Sequence, residues 1–548
     1  RFINHVDNTD IEYTCENKTV NQDGQCEVIE STITITDAKE TIKRFYTFKT
    51  PELALSVEFK QDETGKIVLV ERTDGQPVLF RDFPLIGSDK FHFPYMLNGF
   101  RFEPTEMRDG LLLNKNEGKA VTNRRIIDAA VEATLKVNDW LRSQTVGNTY
   151  MMASSREPIP INTWDEEYAK PWITNLQKEW RSKLLNQILV ETNNGYAVLK
   201  DLRLPDFGGN NDTVNERFYD FVSGMMKEGQ LPLKHQMRKW NKVIKPQYEA
   251  WGQNLKYTKE QFFTDLENCK NLLTLQLHLG LCDDDATANW IQAVVNFVID
   301  NKEEQLFNDY AILPDEFGNF HKLEELKLDA HDHIPVSTKE IYNALLNCRI
   351  ESVLLHPTLS DCSISGITPF GLKDAVKDIN EAIDKKLDSR STYQFNESLW
   401  LTDATAVMRM INTISSEQSN DEVGNKMRSL IAPLLQNGTE CDVISNIDSS
   451  YWKTANRFIL TMLPMRISWK VSSLKSMADT FFVAPHDTDF AINWINGLLH
   501  LIKAMSLSVK EDLAIYPNRK CEFKKISELH FDKNIPVEYK ELDWLASS

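Results

Sequence analysis

Three observations predict an α+β chain: an N-terminal antiparallel sheet module with helices, then a mostly helical region. Residues 31–36 alternate Thr and Ile, the two-residue period of a half-buried strand. Between 123 and 141 the apolar spacing becomes that of a helix. Farther along, one helix-plus-short-strand pattern occurs twice.

The sheet elements come first. After 31–36, strands are expected at 45–48, 53–59 and 66–71, separated by Pro51 and a turn at 62–65. Asp74-Gly75 marks another turn, and 77–80 begins a further strand, which makes an antiparallel meander. The helix at 123–141 carries Ile126, Ile127, Ala130, Val131, Ala133, Val137 and Leu141, with Thr134 in register. Pro158 and Pro160 mark a linker. Helices are then expected over 166–192, 214–227, 258–279, 286–300, 371–387 and 487–506. On 371–387, Leu372, Val376, Ile379 and Ile383 share one face, opposite Lys and Asp. Residues 208–212, Gly-Gly-Asn-Asn-Asp, favour irregular backbone and read as a flexible loop and candidate linker.

The repeated pattern keeps its spacing. One copy runs NWIQAVVNFVID from Asn289, AILPDEFGNFHKLEELKLD from Ala311 and IPVSTKEIYNAL from Ile334. The other runs NWINGLLHLIKA from Asn493, LAIYPNRKCEFKKISELHFD from Leu513 and IPVEYKELDWL from Ile535. Trp290 precedes Pro314 by 24 residues, and Trp494 precedes Pro517 by 23. Pro to Phe (Phe320, Phe523) and Phe to Leu (Leu326, Leu529) are 6 residues each in both copies. Each copy is expected to be a packing module: a helix burying its Trp, a short extended pair and a small helix after Ile-Pro. The implied division is 1–150, 151–280, 281–350, 351–480 and 481–548, with the two copies in the third and fifth segments.

Composition narrows the function. The net charge is −18 over 548 residues, against the basic footprint of a nucleic-acid binder, so no nucleic-acid partner is expected. The pairs Lys43-Arg44 and Arg124-Arg125 read as solvated faces. None of the eight cysteines sits in a C-x-x-C, so reduced thiols in a cytoplasmic protein are expected. No apolar run approaches the roughly 18 residues of a membrane span. The first residue is Arg1 rather than Met, so residues are expected to precede it in a longer protein.

The chemistry-bearing patterns are sparse. His331 and His333 share a strand face near His321, but the second copy has Asp532-Lys533-Asn534 there, so a solvated turn is expected and no metal site. Asp283-Asp284-Asp285 precedes an apolar helix and reads as a cap. There is no Gly-x-Ser-x-Gly and no Walker-type loop.

Residues 80–114, FRDFPLIGSDKFHFPYMLNGFRFEPTEMRDGLLLN, resemble the segment after the GHKL ATPase domain in sacsin and bacterial sacsin-like ATP-binding proteins. The matching positions are Pro84-Leu85, Pro94, Asn98, Phe102 and Arg108, within Glu103-Pro104-Thr105-Glu106-x-Arg108-Asp109-Gly110. The resemblance covers 30–145, is thinner over the two repeat copies and weak between them. The ATPase motifs of that family, a Glu and Asn on the first helix, Asp-Ala and Asp-x-Gly-x-Gly, do not occur here in a suitable context. The resemblance therefore implies a region downstream of an ATPase domain. The parent would bind ATP and Mg, and this chain would hold no cofactor and no ATPase activity of its own. Its partners would be that N-terminal domain and a protein client. The alternative is a scaffold or sensor region of a bacterial antiviral defence protein. The resemblance further implies that Arg108, with Arg101 as second choice, meets the γ-phosphate held by the preceding domain. A structural role for Arg108 would instead pair it with Glu103, Glu106 or Asp109.

Overall fold

A computed structural model describes residues 2–4, 9–24, 26–36, 40–73, 75–114, 118–155, 168–208, 211–226, 229–244, 250–252, 254–329, 333–389, 400–418, 422–435 and 449–530. The linker expected at Pro158 and Pro160 lies outside them, as do His331, Asp332 and the Ile-Pro end of the second copy. The chain divides into two units, Arg1–Leu266 and Glu267–Ser548.

The first unit opens with the expected sheet. Its strands are β1 (Phe2–Asn4), β2 (Thr9–Asp23), β3 (Cys26–Thr36), β4 (Glu40–Lys49), β5 (Leu53–Gln61), β6 (Ile67–Leu69), β7 (Leu79–Arg81), β8 (Phe83–Pro84) and β9 (Met96–Gly99). They pair in the order β1-β2-β3-β4-β5-β9-β7-β8, with β6 also on β5. The meander β2 to β5 is antiparallel, whereas β7 runs parallel to β9. One face presents Tyr46, Phe48, Leu55, Val57 and Phe59, all buried. Helix α1 (Gly118–Ser143) covers it: Trp140 meets Tyr46 and Phe48 edge-on at 4.9 and 5.2 Å. Ile126, Ile127, Ala130, Val131, Val137 and Leu141 are buried along this helix, as their spacing predicts.

The same core continues past residue 150. Helix α2 (Ala169–Leu184) adds Ile173, Trp180 and Leu184, and later residues as far as Trp251 and Leu255 join it. The helix expected over 166–192 stops at Leu184. Residues beyond it form the hairpin β10 (Ile188–Thr192) and β11 (Gly195–Val198), turning at Asn193-Asn194. A 3₁₀ turn at Leu199–Asp201 leads to β12 (Leu204–Asp206). Of the 208–212 loop, residues 209 and 210 lie outside the described residues. Asn211 caps helix α3 (Asp212–Met225) by accepting the Thr213 and Val214 amides at 3.1 and 3.4 Å, within the same unit. Helix α4 (Met237–Ile244), strand β13 (Lys256–Thr258), parallel to β12, and helix α5 (Lys259–Cys269) follow.

The second unit begins at the end of α5. The single helix expected over 258–279 is two, because Lys270 takes a left-handed φ of 65° before α6 (Leu272–Leu279). Then come α7 (Asp284–Asp300), α8 (Leu306–Asp309), and the hairpin β14 (Leu313–Pro314) and β15 (Phe320–His321). A 3₁₀ turn at Leu323–Glu325 leads to β16 (Lys327–Asp329), which pairs parallel with β17 (Thr368–Phe370) after α9 (Val336–Leu346). Helices α10 (Leu372–Ser389), α11 (Thr405–Gln418), α12 (Glu422–Ile431) and α13 (Ser449–Lys470) build the large core of this unit. Helices α14 (Leu474–Thr480) and α15 (Thr488–Ala504), the hairpin β18 (Tyr516–Pro517) and β19 (Phe523–Lys524), and a 3₁₀ turn at Ile526–Glu528 complete it. No helix among the described residues is long and apolar enough to cross a membrane.

The two copies read from the sequence match bond by bond. The Leu272 amide donates to Gly318 O and the Leu474 amide to Cys521 O, both at 2.8 Å. Phe320 N donates to Lys270 O, and Phe523 N to Ser472 O, again at 2.8 Å. Asp283 caps α7 through the Ala286 amide, as the capping reading requires, and Asp487 caps α15 through the Phe490 amide. The Lys322 and Lys525 amides each reach back to a Glu carboxylate three residues on, at 3.0 Å. The copies begin earlier than expected: Ala311 N donates to Glu267 Oε1 and Ala514 N to Ser468 Oγ.

A third hairpin of this kind, invisible to the sequence comparison, is β10–β11 of the first unit. It too feeds a 3₁₀ turn and a strand that pairs in parallel with the strand before a later helix. Leu233 N donates to Glu191 O, as His356 N does to Pro314 O, both at 2.9 Å. The following helices bury Asn215, Phe218, Tyr219 and Val222 in one unit, and Thr338, Ile341, Tyr342 and Leu345, each 123 residues later, in the other.

Candidate functional site

The residues that carry the resemblance build a frame. Leu85 and Phe102 are fully buried, and Pro94 is buried beside them. A Cβ on Gly99 would lie 2.5 Å from the Phe102 ring, so only glycine permits that ring to fold back on β9. Asn98 Oδ1 accepts the Asp82 amide at 3.2 Å and steadies the tight β7–β8 turn, where Asp82 has φ 60°. Buried Ser88 accepts the Val78 and Leu79 amides and donates to Leu85 O, closing the same corner.

That frame presents the 105–110 loop. Thr105 N donates to Gly110 O at 3.0 Å, and the Thr105 hydroxyl bonds the Asp109 carboxylate. From α1, buried Asn123 accepts the Glu103 amide and donates to Glu103 O and Leu112 O, so one side chain sutures both ends of the loop. Arg124 donates to Leu113 O at 2.6 Å and is buried, which corrects its reading as a solvated residue. Its neighbour Arg125 is exposed and pairs with Glu52 at 3.0 Å.

Arg108 sits at the loop tip with a left-handed φ of 54°. Its carbonyl accepts the Ile86 amide at 2.9 Å, and its Nη2 donates to Arg81 O at 3.1 Å. Arg108 is half-buried and makes no ion pair among the described residues. None of the three expected carboxylate partners is used: Glu103 lies 3.5 Å from Lys119 and 4.0 Å from Arg81, while Asp109 takes the Thr105 hydroxyl. Phe83, Ile86 and Met107 are 70%, 73% and 84% exposed, and Ile86 and Met107 are tied to Arg108 through the backbone. Arg101 lies in the turn after β9 rather than on it and is exposed.

Other charged groups are committed internally. The cleft on the opposite sheet face, about 220 Å³, is lined by Lys43, Phe45, Glu58, Arg72, Phe80 and Met96 among others. Lys43 faces Glu58 at 3.5 Å, and Arg72 donates to the Phe93, Gln76 and Pro77 carbonyls. Glu191, buried at the third hairpin, accepts Lys66, the Thr149 amide and Gln236. Burial and that carboxylate push the Tyr196 phenol up to about 12. In the second unit, buried Asp315 faces His321 at 3.1 Å, and burial lowers the pKa of His356 against opposing pulls from Asp315 and Asp285. His333 is exposed, and no group of three His, Cys, Asp or Glu among the described residues is placed to hold a metal ion.

The sequence found Arg108 but not what positions it. Asn123 and Arg124 lay inside an apolar helical pattern, and nothing local marks a helix side chain as bound to a distant loop. No known protein family, curated protein or solved structure matches the chain.

Proposed function

We propose that this chain is the middle and downstream region of a sacsin-like, chaperone-type ATPase of the cytoplasm, coupling ATP-driven change in an N-terminal nucleotide domain to a protein client. The observation that carries this reading is the state of Arg108. One guanidinium N–H is anchored to Arg81 O, and the group makes no ion pair among the described residues. The exposed Phe83, Ile86 and Met107 belong to the same framed corner. A surface loop that needs an Arg only for its own shape would satisfy it locally. This one leaves Arg108 with a single backbone acceptor and no carboxylate partner among the described residues, in a corner that carries three exposed apolar side chains, which suits a protein interface with an anion in it.

The guanidinium fits the phosphate of the implied nucleotide, since its fork can meet phosphate oxygens bidentately. ATP with Mg supplies the transferable phosphoryl group and belongs to the preceding domain. This chain's part is to bring one cation to the γ-phosphate oxygens and stabilise their charge. Asn123 and Arg124 keep the loop from relaxing when that charge is absent.

The test uses a protein that includes the nucleotide domain. Arg108→Ala should lower ATP turnover at least about tenfold, about 1.4 kcal/mol of transition-state stabilisation, with nucleotide affinity and melting temperature unchanged. Arg101→Ala should have the smaller effect. Unchanged turnover in Arg108→Ala would leave Arg108 a structural residue.

A further inference from the structure

We propose that the outward face of α6, with the neighbouring Phe317, docks a basic amphipathic helix of a protein partner. The inference is independent of Arg108. Helix α6 reads LLTLQLHL: Leu272 and Leu275 are buried, but Leu273 and Leu277, four residues apart on the other side, are 63% and 76% exposed. The bond from Leu272 N to Gly318 O sets the helix start beside the turn that carries Phe317, itself 50% exposed.

The second copy supplies an internal control. Its matching hydrogen bonds make Lys475, Asp479 and Lys520 the equivalents of Leu273, Leu277 and Phe317, and all three are exposed. The scaffold therefore forms equally well with charged residues at these positions. The apolar side chains of the first copy do nothing for the module that the second copy's charged ones do not.

Charge selects the occupant. Residues 267–327 carry 12 acidic and 4 basic side chains, net −8, whereas the equivalent 468–530 carry 7 and 8, net +1. Exposed Asp283, Asp284 and Asp285 lie past the C-terminal end of α6, after three intervening residues. Two leucines at helical spacing, with acidic residues past the α6 C-terminal end and the Arg349 guanidinium 5.6 Å over the Phe317 ring near its start, complement a helix whose apolar stripe is flanked mainly by Lys or Arg.

The probe is a fluorescein-labelled helical peptide of Leu and Lys at amphipathic spacing, titrated against the full chain and followed by anisotropy. Binding should weaken at least about tenfold in L273K/L277D, which installs the second copy's residues and should keep the melting temperature, and also in Phe317→Lys. The mirror variant K475L/D479L should leave affinity unchanged. Four results would overturn the proposal: no binding to the wild-type chain, equal binding to L273K/L277D, equal binding of a Leu/Glu peptide, or self-association of the chain that L273K/L277D abolishes. The last would make a second copy the occupant.

Discussion

The two copies of the module share their backbone bonds, caps and turn acceptors but not their outward surfaces. At the hairpin turn, the carboxylate of Asp315 accepts the Phe317 and Asn319 amides, and in the other copy the amide oxygen of Asn518 accepts those of Lys520 and Glu522. At the left-handed position, Gly318 has φ 84° and Cys521 φ 63°. The copies also differ in setting. Helix α15 belongs to the large core of the second unit, where the Trp494 indole donates to Leu430 O on α12 and meets Phe481 and Phe482 edge-on. Helix α7 lies outside that cluster, and its Trp290 is only half-buried, which corrects the expectation that both tryptophans point into equivalent small cores. The difference teaches that the turn needs an acceptor and a tolerated left-handed residue, whereas the helix's outward chemistry is free to change.

Substitutions can break that comparison. The largest effect should come from Trp494→Ala, at about 3–5 kcal/mol for a buried aromatic. Trp290→Ala should cost less than half as much. Calorimetry of the two variants would show equal costs if the copies bury their tryptophans alike, against the structure.

Next is the turn acceptor. Asp315→Ala removes the acceptor of two part-buried amides and should cost about 2–3 kcal/mol, while Asp315→Asn, copying Asn518, should cost about 1 kcal/mol through loss of the His321 contact. If Asn costs as much as Ala, charge rather than acceptor geometry holds the first turn, and the equivalence with Asn518 fails.

The smallest effect concerns the left-handed residue. Cys521→Gly should relieve backbone strain and stabilise by up to about 1 kcal/mol, less the entropy glycine adds to the unfolded chain. Gly318→Ala should destabilise, because its Cβ would also press on Leu272 at 3.3 Å. Denaturant midpoints giving both changes the same sign would refute the shared turn.

How much of this was legible depended on whether the signal was local. Strands β3 to β7 and the α1 face followed from the sequence pattern, because Tyr46, Phe48 and Ile126 sit where a two- or 3.6-residue period puts them, whereas β1, β2 and β9 were not read from it. The break at Lys270 was hidden, since apolar residues run on through it and left-handed lysine has no sequence mark. The third hairpin was swallowed by the preceding helix, although Asn193-Asn194 followed by Gly195 is a turn signal. It lacks the Trp and Pro landmarks that aligned the other two. For the candidate site, Arg108 was legible as a loop residue, but its anchor on Arg81 O and its clamp by Asn123 and Arg124 join segments distant in sequence. Such bonds leave no spacing to read.

One hydrogen-bonded module recurs in this chain with different surfaces. Residue-resolved hydrogen–deuterium exchange tests it most directly through the four crossing amides, Leu272 and Phe320 in one copy, Leu474 and Phe523 in the other. All four should be protected, and each more so than the amides of the exposed turn residues Phe317 and Lys520 beside them. Protection in one copy with free exchange at the matching pair of the other would contradict the claim.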